Sequence, residues 1–122
     1  MIRNFLLVGL GGGLGSMLRY GTGLLIGTRE FPLATLLINV TGSFIIGLVM
    51  VYSLANQQLG EHWKLFLATG ICGGFTTFST FSWENLQLLQ QGKWSLFFLY
   101  SIGSVLLGLA SAWFAFRIIS TS

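Results

Sequence analysis

Between Glu30 and Glu61 the chain carries no charged side chain. Residues 65–83 and 94–116 are equally free of charge, and within 4–28 the only charge is Arg19. A helix needs about 20 mostly apolar residues to cross a bilayer. Successive runs of that length in a chain of 122 residues are more than one small water-soluble core could bury. Composition agrees: 53% of residues are hydrophobic and 7% charged, where a soluble domain carries about a quarter charged residues. A cytosolic enzyme domain, a disordered tail and a nucleic-acid-binding module are excluded on this ground. The net charge of +3 reflects few acids; the four Arg and two Lys are scattered, and no cluster could follow a phosphate backbone. Cys72 is the single cysteine, so no internal disulfide can form. The chain reads as an all-α integral membrane protein, small enough to work as an oligomer.

The charges and turn residues divide it into four predicted spans, at about 4–27, 33–56, 64–87 and 95–119, which make one transmembrane domain over 1–122. Thr28 to Pro32, Gln57 to Trp63 and Leu88 to Trp94 are the connections, with Pro32 suited to open the second helix. Trp63 and Trp94 fall at membrane–water boundaries, where an amphipathic ring is favoured. A transmembrane barrel needs alternating strands of about 9–11 residues, and these runs do not alternate. The apolar stretch after Arg3 is read as a retained first helix rather than a cleaved signal, because no small-residue cleavage motif follows it.

Each predicted helix carries a pattern with two readings. In the first, Gly11, Gly15, Gly23 and Gly27 fall four apart with Arg19 in register. Small residues at that spacing let helices approach closely. An arginine inside a span is costly unless it is paired or reaches the interface, so Arg19 either snorkels or draws anions to a vestibule. In the second, Thr35, Asn39 and Ser43 share one face, as interhelical glue or as donors to a permeating species. The fourth places Tyr100, Ser104, Gly108 and Ala112 on one face with Ser111 nearby, as a packing surface or a narrow polar track.

The third is the most informative. Its middle runs Gly73-Gly74-Phe75-Thr76-Thr77-Phe78-Ser79-Thr80-Phe81-Ser82. Adjacent glycines followed by Thr and Ser make a poor helix, and they sit where unpaired backbone is expensive. A break at the midpoint is predicted, of the kind that frees carbonyls for a cation in transporters. Phe78 and Phe81, three apart, share a face, and aromatic rings have a positive edge that can meet an anion. Glu84 is the one acid near a span.

No catalytic constellation and no metal-ligand spacing appear, so an enzyme is not expected. An ion channel is weighed against a small dual-topology multidrug or cation exporter. The exporter needs an intramembrane carboxylate to exchange protons, and the first helix supplies Arg19 instead. A purely structural subunit would need neither the broken helix nor the hydroxyl run.

The motif at 73–82, with Asn39, Arg19, Tyr100 and Ser104, resembles the Fluc/CrcB family of bacterial fluoride channels over the whole chain. Position 75 holds Phe where relatives often have Leu, and position 108 Gly where some have Ser. The resemblance implies an antiparallel, dual-topology homodimer in the lipid of the bacterial inner membrane, with two fluoride pores at the dimer interface. It implies passive fluoride export that protects the cell. It implies a structural sodium ion on the two-fold axis, held by backbone carbonyls of Gly73 and Thr76. It assigns Asn39, Phe78 and Phe81 to the fluoride path, with Ser79, Thr80 and Ser111 along a polar track; the helix patterns above add Tyr100 and Ser104 to that track and Arg19 at a vestibule. Fluoride is small and strongly hydrated, so amide, hydroxyl and ring-edge donors replace its water without the trap of a fixed charge.

Overall fold

A computed structural model describes residues 1–55 and 60–120 of the chain. Every regular element in that range is helical: α1 (Ile2–Ile26), α2 (Leu33–Ala55), α3 (Glu61–Lys64), a π-helical segment (Leu65–Cys72), α4 (Gly73–Phe75), α5 (Phe78–Gln90) and α6 (Trp94–Ser120). The apolar runs set these bounds. Pro32 accepts the first bond of α2, from Leu36 N–H at 3.2 Å. Gly27 and Gly92, at φ 80 and 73, turn the chain out of α1 and α5, a conformation costly for a residue with a Cβ. Lys93 and Glu30 form an ion pair at 3.2 Å that ties the first and third connections together. Of the second connection, 56–59 lie outside the described residues, and His62 already belongs to the helical turn α3.

Leu33–Leu54, Glu61–Gln90 and Trp94–Ile119 are long and apolar enough to cross a membrane. The fourth expected span, α1, is not among these three. Its 25 residues reach about 37 Å at 1.5 Å each, which is ample length, but its glycines and Arg19 dilute the apolar run. Those glycines are used for contact. A Cβ at Gly11 would lie 2.6 Å from the Phe66 carbonyl and 2.9 Å from Gly70 Cα. α1 therefore rides directly on the backbone of the π segment, and Gly15 and Gly74 make equally close crossings.

The third apolar stretch changes partner at its midpoint. Its first half, the π segment and α4, packs on α1, whereas α5 packs on α6. α2 and α6 form the other close pair. A Cβ at Gly47 would meet Ala112 O and Ala115 Cβ at 3.0 Å, and Ser111 Oγ donates to Val40 O at 3.1 Å. The surface is apolar to a degree water would not support: Leu25 is 90% exposed and Phe78 78%. Exposed apolar area on this scale marks membrane or protein contact surfaces.

Candidate functional site: the helix break and its groove

The break falls at Thr76 and Thr77. Thr76 has φ −80, ψ 158 and Thr77 φ −152, ψ 122, both extended between helical neighbours. Unpaired backbone at this depth must find partners, and side chains from three directions supply them. From α2, the Asn39 amide clamps Thr77: its Nδ2 donates to the Thr77 carbonyl at 3.2 Å, and its Oδ1 accepts the Thr77 N–H at 2.9 Å. From α1, Arg19 Nε donates to the Gly74 carbonyl at 3.2 Å. Within the stretch, Thr77 Oγ1 caps α5 by accepting the Thr80 N–H at 3.2 Å, and Thr76 Oγ1 donates to the Cys72 carbonyl at 2.8 Å.

These caps have a consequence for two carbonyls. In an unbroken helix the N–H of residue i+4 bonds the carbonyl of residue i. The N–H of Thr77 would serve Gly73 and that of Thr80 would serve Thr76. Both are diverted, to Asn39 and to the Thr77 hydroxyl. The carbonyls of Gly73 and Thr76 thus lose their usual donors at the break. A Cβ at Gly73 would meet nothing closer than Ala68 O at 3.9 Å, and Gly73 is exposed on the single chain.

A groove of about 370 Å³ opens beside the break. Asn39, Phe78, Phe81 and Ser104 line it with Gly73 and Thr76, and Ser43 and Cys72 contribute too. The rings of Phe78 and Phe81 stand 6.0 Å apart. Ser104 Oγ is buried without a hydrogen-bond partner, a donor at the groove wall. The remaining residues singled out from sequence lie elsewhere. Tyr100 is fully buried behind Phe81, ring centroids 5.0 Å apart, and its hydroxyl donates to Glu84 Oε1 at 2.9 Å. Ser111 is engaged between α6 and α2. Ser79 and Thr80 gather around the Thr77 hydroxyl, at 3.3 and 3.2 Å. Arg19 is half-buried against the break.

Sequence reasoning did not single out Asn85. It is buried; its Nδ2 donates to the Phe81 carbonyl at 3.1 Å, and its Oδ1 accepts the Ser101 hydroxyl at 2.8 Å. Its position four residues after Phe81 was the available signal. Among the described residues no group of His, Cys, Asp and Glu could hold a metal.

A family model for the CrcB-like, camphor-resistance (CrcB) proteins matches residues 6–116. A protein of Thermus thermophilus named fluoride-specific ion channel FluC is 48% identical over 120 residues, covering 96% of this chain and 95% of that protein. A FluC of Azobacteroides pseudotrichonymphae is 45% identical over 114 residues, with 91% of each chain covered. One from Flavobacterium psychrophilum is 48% identical over 109 residues, covering 87% of this chain and 88% of that protein.

Proposed function

Since the chain belongs to the CrcB family, we propose that it is a fluoride-selective channel carrying passive fluoride efflux, and so confers resistance to fluoride. It is a multi-pass membrane protein and not an enzyme. The observation that carries the reading is the groove at the break, where Asn39, Ser104, Phe78 and Phe81 bring uncharged donors and aromatic rings to one lining. Asn39 spends one amide hydrogen on Thr77; an amide nitrogen has two, and the second is available to an anion. Such a lining suits a permeating fluoride ion, because neutral donors can replace fluoride's water and still release the ion. Ser79 and Thr80, whose hydroxyls meet that of Thr77 beside the groove, would extend the polar track, and Tyr100 backs the Phe81 ring, with Ser111 farther along α6. Arg19 braces the break with its Nε, and its charge would draw anions toward that region.

The groove is open on one side and bordered by exposed Phe78 and Gly73. Both features suit a second copy laid across it, and a closed two-fold dimer is the commonest oligomer. In that dimer the carbonyls of Gly73 and Thr76 would hold a structural sodium ion. They are neutral oxygen donors of the kind hard cations take, and the diverted N–H groups have left them free to face one. Its chemistry there would be to neutralise converging carbonyl dipoles. Four spans in a bacterial inner membrane, with α1 as the first, complete the reading.

Purified protein in fluoride-loaded liposomes tests it. Fluoride should leave at a rate proportional to protein, with chloride efflux absent or far slower. Proton-driven movement of a cationic drug without fluoride efflux would establish the exporter instead.

A further inference from the structure

We infer that Asn85 and Ser101 are positioning residues for the fluoride path: together with Glu84 and Tyr100 they lock the rotation of α5 and so hold Phe78 and Phe81 toward the groove. The inference rests on the channel reading above. Two hydrogen bonds join α5 to α6, from Tyr100 to Glu84 at 2.9 Å and from Ser101 to Asn85 at 2.8 Å. The four residues are consecutive pairs, 84–85 on α5 and 100–101 on α6. Neighbours on a helix point about 100° apart around its axis. One bond between two helices is a pivot; two bonds at different azimuths stop both from turning.

The Asn85 amide has little freedom of its own. It is buried at 8% exposure, and its Nδ2 is held by the Phe81 carbonyl at 3.1 Å, which turns Oδ1 toward Ser101. Phe81 lies one helical turn before this clasp and Phe78 another turn before that, next to the break. α5 begins at Phe78, after two extended residues, so α4 cannot transmit a helical rotation to it. The clasp therefore fixes the azimuth that the break leaves loose. The Phe78 ring is 78% exposed on the single chain, and little else in its own chain fixes where it points.

Ser101→Thr and Ser101→Val test this, since the two side chains have equal bulk and differ in one hydroxyl. Fluoride flux per reconstituted dimer should stay within about twofold of wild type for Ser101→Thr and fall about fivefold for Ser101→Val, the weight of one hydrogen bond. The double variant Asn85→Leu with Ser101→Val removes both partners and leaves no unpaired group, so its thermal midpoint should return toward wild type. Its flux should remain low, which a purely structural role would not produce. Flux that recovers together with stability in the double variant, or equal flux from Ser101→Thr and Ser101→Val, would overturn the inference while wild-type flux keeps the channel reading intact. Wild-type liposomes that retain their fluoride would overturn both.

Discussion

Asn39 concentrates the chemistry of the site in one side chain. The sequence marked it as the most polar member of the stripe Thr35, Asn39, Ser43, and left glue and donor as alternatives. The structure gives it a bond to each backbone group of Thr77, so it is at least a brace, and its spare amide hydrogen allows it to be a donor as well. Asn39→Leu leaves both groups unpaired, at about 1–3 kcal/mol each, and should lower the thermal midpoint of the purified protein sharply. Asn39→Asp sets a carboxylate oxygen against the Thr77 carbonyl and places a charge on the path. It should abolish fluoride flux in liposomes, and wild-type flux would remove Asn39 from the path. Phe78→Ile and Phe81→Ile keep apolar bulk and lose the ring edge. Each should slow flux by up to about tenfold, with the melting midpoint nearly unchanged for exposed Phe78→Ile and lowered for Phe81→Ile, which loses its ring contact with Tyr100; unaltered flux in both would mean that the ion passes elsewhere. The Glu84–Tyr100 and Asn85–Ser101 pairs were not legible, because sequence spacing fixes which residues share a face of one helix and not which faces meet across two.

The broken helix shows what spacing does fix. Glycines 73 and 74 and the Thr/Ser run announced a break, and it falls at Thr76 and Thr77, where hydroxyls can cap the freed ends. α2 and α6 start within two residues of the charge-free runs that open at 31 and 94, and α6 continues past Arg117 to Ser120. The π segment Leu65–Cys72 left no such mark, since its residues are ordinary helix material and the widened turns lie against α1. α1 itself reads in sequence as a span and in composition as a weak one, because its glycines are spent on close contact with that segment. Gly11→Ala should therefore destabilise, with its Cβ 2.6 Å from the Phe66 carbonyl, whereas Gly9→Ala, with nothing within 4 Å, should leave the midpoint unchanged or raised. Equal midpoints for the two variants would contradict the packing of α1 on the π segment.

Across the whole molecule, positive charge is almost evenly divided between the ends. With four spans, Arg3, Lys64 and Arg117 share one side and Arg29 and Lys93 the other, while Arg19 is held at the break. Lys and Arg bias sets topology, and a bias this small permits insertion both ways, as an antiparallel dimer of one chain requires. A reporter fused to the C-terminus should appear on both faces of the membrane. Adding two or three Lys there should fix one orientation and abolish fluoride export, and co-expression with an oppositely biased copy should restore it. Full export from a population oriented one way would exclude the antiparallel dimer. The central claim, a passive and selective fluoride conductance, is tested most directly by the reversal potential of the purified protein in a planar bilayer, with a fluoride gradient set across equal chloride. Current should reverse at the equilibrium potential of fluoride and stay there when a pH gradient is imposed. Reversal at the chloride potential, or a reversal that follows the proton gradient, would contradict it.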